Sequence, residues 1–91
     1  MTPPPPSAVR LRPGSVEWRE VEGEVIAVDV RTSEYLAINA TGAALWRALE
    51  GGATRGELTD RLVECFDVEP DAAARDVAGF LAALEERGLL E

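Results

Sequence analysis

Between Val16 and Asn39 the apolar residues come in short runs separated by turn-forming pairs. Val16-Glu-Trp18-Arg-Glu-Val21 leads into Glu22-Gly23, a pair suited to a tight reversal. Val25-Ile-Ala-Val-Asp-Val30 is β-branched and mostly apolar, Arg31-Thr-Ser-Glu34 is turn-like, and Tyr35-Leu-Ala-Ile38 forms a third short run. Three such strands with short connections predict an antiparallel meander.

After Asn39 the spacing of apolar positions becomes helical. Thr41 is the expected cap of a helix carrying Ala43, Ala44, Leu45, Trp46 and Leu49, with Gly51-Gly52 ending it. Thr54-Arg-Gly-Glu57 fits a capping box, in which Thr54 and Glu57 satisfy each other's free backbone N–H groups. Leu58, Leu62, Val63 and Phe66 follow on one face. Pro70 suits a first helical turn, with Glu69 and Asp71 near its positive end. The last helix is expected to run to about Arg87 and stop at Gly88, leaving Leu89 and Leu90 to pack as a tail. The order predicts an α+β fold: a three-stranded antiparallel sheet followed by three helices. Residues 1–14 hold five of the six prolines, Pro3 to Pro6 in a row, and read as a flexible, extended tail. Residues 15–91 are the expected domain.

Stepping roughly 100° per residue along the last helix, Ala73, Val77, Phe80, Leu81 and Leu84 form a core stripe. Opposite lie Arg75, Gly79, Ala82 and Glu86, flanked by Ala78 and Ala83. A glycine inside a helix costs about 1 kcal/mol relative to alanine. Gly79 is therefore either drift among good helix formers or a place where another backbone comes close. Tyr35–Ile38 is not blunted by lysine or proline. It reads either as an open edge able to accept a further strand or as an edge covered by a helix. An open edge beside a small-residue helix face makes a groove for an extended peptide.

Composition narrows the chemistry. The chain has no histidine and one cysteine, Cys65, so histidine bases and the usual zinc sites are absent and no internal disulfide forms. Cys65, beside Phe66, reads as a small buried apolar residue. No phosphate loop is present, and no paired carboxylates sit in an apolar setting, so a degenerate or regulatory enzyme subunit is a weak rival and no cofactor is implied. The net charge of −8, from 17 acids and nine bases, opposes phosphate neutralisation and hence nucleic-acid binding. No apolar run approaches the roughly 18 residues of a membrane span. Met-Thr-Pro-Pro-Pro-Pro is not a secretory signal, and a cytoplasmic setting is expected.

Tyr35-Leu-Ala-Ile-Asn-Ala-Thr-Gly-Ala-Ala-Leu-Trp-Arg-Ala-Leu49 resembles the PqqD-like proteins, the RiPP recognition elements that bind leader peptides of ribosomally made, modified peptides. Asn39, Gly42, Leu45, Trp46 and Leu49 carry the likeness, followed by Gly52, Glu57, Leu62, Phe66 and Val68, then Asp76-Val77, Phe80-Leu81, Leu84 and Gly88-Leu89-Leu90. It spans roughly residues 17–91. The resemblance implies a winged helix-turn-helix-like fold that binds the leader as an added strand on the third strand, against the last helix. Those positions here are Tyr35, Leu36, Ala37 and Ile38, with Arg75, Ala78, Gly79 and Ala82. Val28 and Val30 are expected to help form shallow apolar pockets for the Tyr, Pro and Leu that leaders of lasso systems carry. Neither periodicity nor resemblance fixes which wall of the last helix faces the strand.

Stand-alone members resemble two types. One is the non-catalytic lasso-peptide protein that hands its precursor to a leader-removing cysteine protease and then a cyclase, and this type is preferred. The other is the chaperone of pyrroloquinoline quinone synthesis, which presents its precursor to a radical SAM enzyme. A DNA-binding winged helix shares the architecture, and the excess of acid over base in the last two helices counts against it.

Overall fold

The computed structural model describes residues 8–91. The proline run lies outside the described residues. The chain forms β1 (Val16–Val21), β2 (Glu24–Asp29) and β3 (Tyr35–Ile38), then α1 (Ala40–Gly51), α2 (Arg55–Phe66) and α3 (Pro70–Glu86). The sheet is antiparallel throughout, in the order β1-β2-β3. This is the α+β meander-then-helices order expected from the hydrophobic pattern.

Each connection has a local cause. Glu22 (φ 50°) and Gly23 (φ 82°) both take positive φ between β1 and β2. That conformation matches the twist of a two-residue hairpin. The β2–β3 turn is organised by Asp29, which is buried at 3% exposure; its Oδ1 accepts from the backbone N–H groups of Arg31 and Thr32.

Alternation decides which sheet face is covered. Val25, Ala27 and Asp29 point inward and are buried, while Ile26 and Val28 point outward and are half-buried. Trp18 sits opposite Ala27 and meets Trp46 of α1 edge-on, ring centroids 6.1 Å apart. All three helices contribute to the core: Leu45, Trp46 and Leu49 from α1, Leu58 and Leu62 from α2, and Val77, Leu81 and Leu84 from α3, closed by Leu89.

Four expectations need revision. The cap of α1 is Asn39, whose Oδ1 accepts from Gly42 N, rather than Thr41, which lies inside the first turn. Cys65 is exposed, because the face of α2 that meets the core runs through Leu58 and Leu62 to Val63 and Phe66 and leaves Cys65 at its flank. Phe80 is half-buried at the margin of the core rather than within it. The domain also starts before residue 15. Val9 and Ala53 exchange backbone hydrogen bonds of 2.7 and 2.9 Å, Arg12 N donates to Leu89 O, and Leu11 is buried against the core. The capping box of Thr54 and Glu57 and the first-turn position of Pro70 stand as expected.

Candidate functional site

β3, like β1, is an edge strand, paired on one side only. Asp29 N donates to Glu34 O. In an antiparallel ladder bonded pairs alternate with non-bonded ones, so Leu36 and Ile38 turn their backbone groups to β2. Tyr35 and Ala37 turn theirs outward. Two residues, with an N–H and a C=O each, are thus free to pair with an added strand. The side chains alternate the other way: Leu36 and Ile38 face inward and are half-buried, while Tyr35 and Ala37 are exposed.

A groove of about 300 Å³ runs beside this edge, lined by Leu36, Ala37, Ile38, Asn39, Phe80, Ala83, Leu84 and Arg87. One wall is therefore β3 and the other is α3. At one end the Arg87 guanidinium pairs with Glu34 Oε2 at 3.2 Å, and Arg31 Nη2 donates to Arg87 O. These contacts brace the β2–β3 turn to the end of α3. The other end is set by Gly42 of α1: a Cβ there would stand 2.6 Å from Ile38 Cγ2 and 3.4 Å from Phe80 Cε2. Only glycine lets α1, β3 and α3 approach this closely. β3 spans about 13 Å and the Phe80–Arg87 stretch about 11 Å, so the two walls are matched in length. The chemistry they present is an apolar trough with main-chain donors and acceptors along one lip.

The structure gathers some of the expected site residues and separates others. Leu36, Ala37 and Ile38 line the groove; Tyr35 lies on the same edge with its ring 76% exposed on the outer sheet face. Val28 pairs with Tyr35 on that outer face, where Ile26, Val28, Tyr35, Glu17, Trp18 and Arg19 line a separate hollow. Val30 lies in the turn after β2, 55% exposed. None of the four expected α3 residues lines the groove. Arg75, Ala78 and Ala82 project roughly 140–160° away from Phe80 and Gly79 roughly 100° away, at 100° per residue. All four are exposed, and Gly79 has open space beyond it. The reason is that the wall borders the core stripe instead of opposing it. Phe80, Ala83 and Arg87 line the groove from this side, at spacings of three and four beside the buried stripe. Among the described residues, no group of three or more His, Cys, Asp or Glu side chains is placed to hold a metal ion, and no helix is long and apolar enough to cross a membrane.

Two solved structures share this architecture. One is described as TbiB1 in complex with the TbiA(beta) leader peptide; it has 28% sequence identity and a TM-score of 0.80, over 90% of this chain and 94% of that one. The other is described as lasso peptide synthetase B1 complexed with the leader peptide, also 28% identical, with a TM-score of 0.74 over 91% of this chain and 96% of that one. No curated protein sequence matches the chain. Residues 24–90 match the family described as coenzyme PQQ synthesis protein D (PqqD). That match takes in β2, β3 and all three helices, the elements that build the groove, and the chain belongs to the PqqD family.

Proposed function

We propose that this chain is a RiPP recognition element. It binds the leader of a ribosomally made precursor peptide as a fourth strand on β3 and performs no chemistry itself. The observation that carries this is the open β3 edge: Tyr35 and Ala37 offer unpaired main-chain groups directly beside the apolar wall of Phe80, Ala83 and Leu84. Four added hydrogen bonds at about 0.5–1.5 kcal/mol each contribute register and part of the affinity. Apolar leader side chains in the trough supply the rest and the choice of partner. The likeness to two chains described with leader peptides supports the same reading.

The lasso-peptide role is preferred because one of those chains, matched over 96% of its length, is described as a lasso peptide synthetase B1. A leader-removing cysteine protease and a cyclase are the partners that reading implies. The chain would speed their work by raising the local concentration of precursor. The family's description favours a second reading, a chaperone presenting its precursor to a radical SAM enzyme in pyrroloquinoline quinone synthesis.

Fluorescence anisotropy with labelled leaders of candidate precursors sought among the genes around this one tests the binding role. Saturable binding at micromolar or tighter affinity is expected, and Ala83→Trp, which fills the groove from an exposed position, should weaken it at least about tenfold (1.4 kcal/mol). Binding that ignores Ala83→Trp would refute the groove assignment.

A further inference from the structure

The α3 wall carries charge in a fixed order. Asp76, Phe80, Ala83 and Arg87 follow at spacings of four, three and four, so they lie on one stripe within roughly 60° of Phe80. Asp76 is exposed and makes no side-chain hydrogen bond or ion pair among the described residues. Arg87 lines the groove and meets Glu34, just before β3 begins. Ile38, at the end of β3, and Phe80 both come up against Gly42. The strand and this part of the helix therefore run in opposite directions. A cation marks the Tyr35 end of the groove, and an anion lies one helical turn beyond its Ile38 end.

Resting on the reading of the groove as a leader site, we propose that it recognises charge order as well as apolar shape. The segment it takes has an apolar centre, an Asp or Glu at the Tyr35 end and a Lys or Arg at the Ile38 end. Eleven helical residues separate Asp76 from Arg87, about 16 Å, which an extended strand covers in about five residues. The acid and the base of the bound segment thus stand about five positions apart.

Arg87 spends one N–H on Glu34, and a guanidinium has five. The incoming carboxylate therefore meets free donors, with Glu34 as its competitor for the same cation. The net charge does not oppose this occupant. A chain of net charge −8 repels an acidic peptide, whereas a segment with one acid and one base is neutral overall. Beyond about 10 Å salt screens the remainder, leaving the two local pairs to act.

The test is a set of double-mutant cycles, read by anisotropy with the fluorescein-labelled leader that the chain binds in the groove test above and with versions carrying single charged residues changed to Gln. Asp76→Asn and Arg87→Gln should each weaken the leader about two- to fivefold, the range of exposed ion pairs. Asp76→Asn should have no further effect once the leader's base is neutral, and Arg87→Gln should lose the part of its effect that depends on the leader's acid. Glu34→Gln frees Arg87 and should tighten binding. Arg87→Gln also loosens the brace to the β2–β3 turn; Asp76→Asn touches nothing else and keeps the test independent of that. A leader that binds with no such pair of charges, or whose affinity ignores both substitutions, overturns the charge reading alone. Failure of every candidate leader to bind in the groove test overturns the groove reading itself, and the charge reading with it.

Discussion

An added methyl group at Gly42 would stand 2.6 Å from Ile38 Cγ2, whereas one at Gly79 would meet nothing within 4 Å. The same substitution should therefore have opposite effects at two helical glycines. Gly79→Ala should stabilise the fold by about 1 kcal/mol, the ordinary helix-propensity gain, and leave leader affinity unchanged; thermal melts and anisotropy check both. A loss of affinity there would point back to the Arg75–Gly79–Ala82 wall expected from the sequence. Gly42→Ala should cost about 1–2 kcal/mol net, since overpacking at Ile38 outweighs that gain. It should also weaken the leader by displacing the Ile38 end of the groove. The sequence displayed both glycines but not what surrounds them. Asn39 and Thr41 illustrate the same limit. Both residue types cap helices well, and what places the cap at Asn39 is the seating of Ile38 against Gly42, a contact between elements.

At the scale of elements, β3 must stay unpaired on its outer edge for the strand-addition reading to hold. Ala37 turns its N–H away from β2, so Ala37→Pro removes a donor from the leader and none from the sheet. Leader affinity should fall about tenfold with the near-native circular dichroism spectrum kept; unchanged affinity would argue against strand addition. The strands were legible because alternation and turn pairs are local signals, and β1 and β3 fall where the pattern put them. The buried stripe of α3 was legible for the same reason, Phe80 at its margin excepted. Which flank of that stripe faces β3 was not, because it depends on how α3 crosses the rest of the fold. Periodicity locates a buried face and says nothing of which neighbour lies to its left or right.

Across the whole molecule, residues 10–12 are laced to α1 and to the last residues of the chain. Leu11 N donates to Leu49 O, Arg12 N to Leu89 O and Glu91 N to Arg10 O, and Leu11 bridges to Leu90. Leu11→Ala should therefore cost about 2–5 kcal/mol, a core-type loss from a segment that composition marks as tail. A chemical melt measures it, and a change below about 0.5 kcal/mol would mean that this segment is a surface strap. The signal was present in the sequence: Val9-Arg-Leu11-Arg alternates like a strand, but two apolar residues beside a proline run are too few to stand out.

Leader capture itself is tested most directly by titrating the full chain with labelled leaders of candidate precursors from the genes around it, alongside Ala83→Trp and Ala37→Pro. Saturable binding at micromolar or tighter affinity, weakened about tenfold or more in both variants while their melting temperatures hold, is the expected result. No binding by the parent chain, or equal binding by all three proteins, would contradict leader capture on β3.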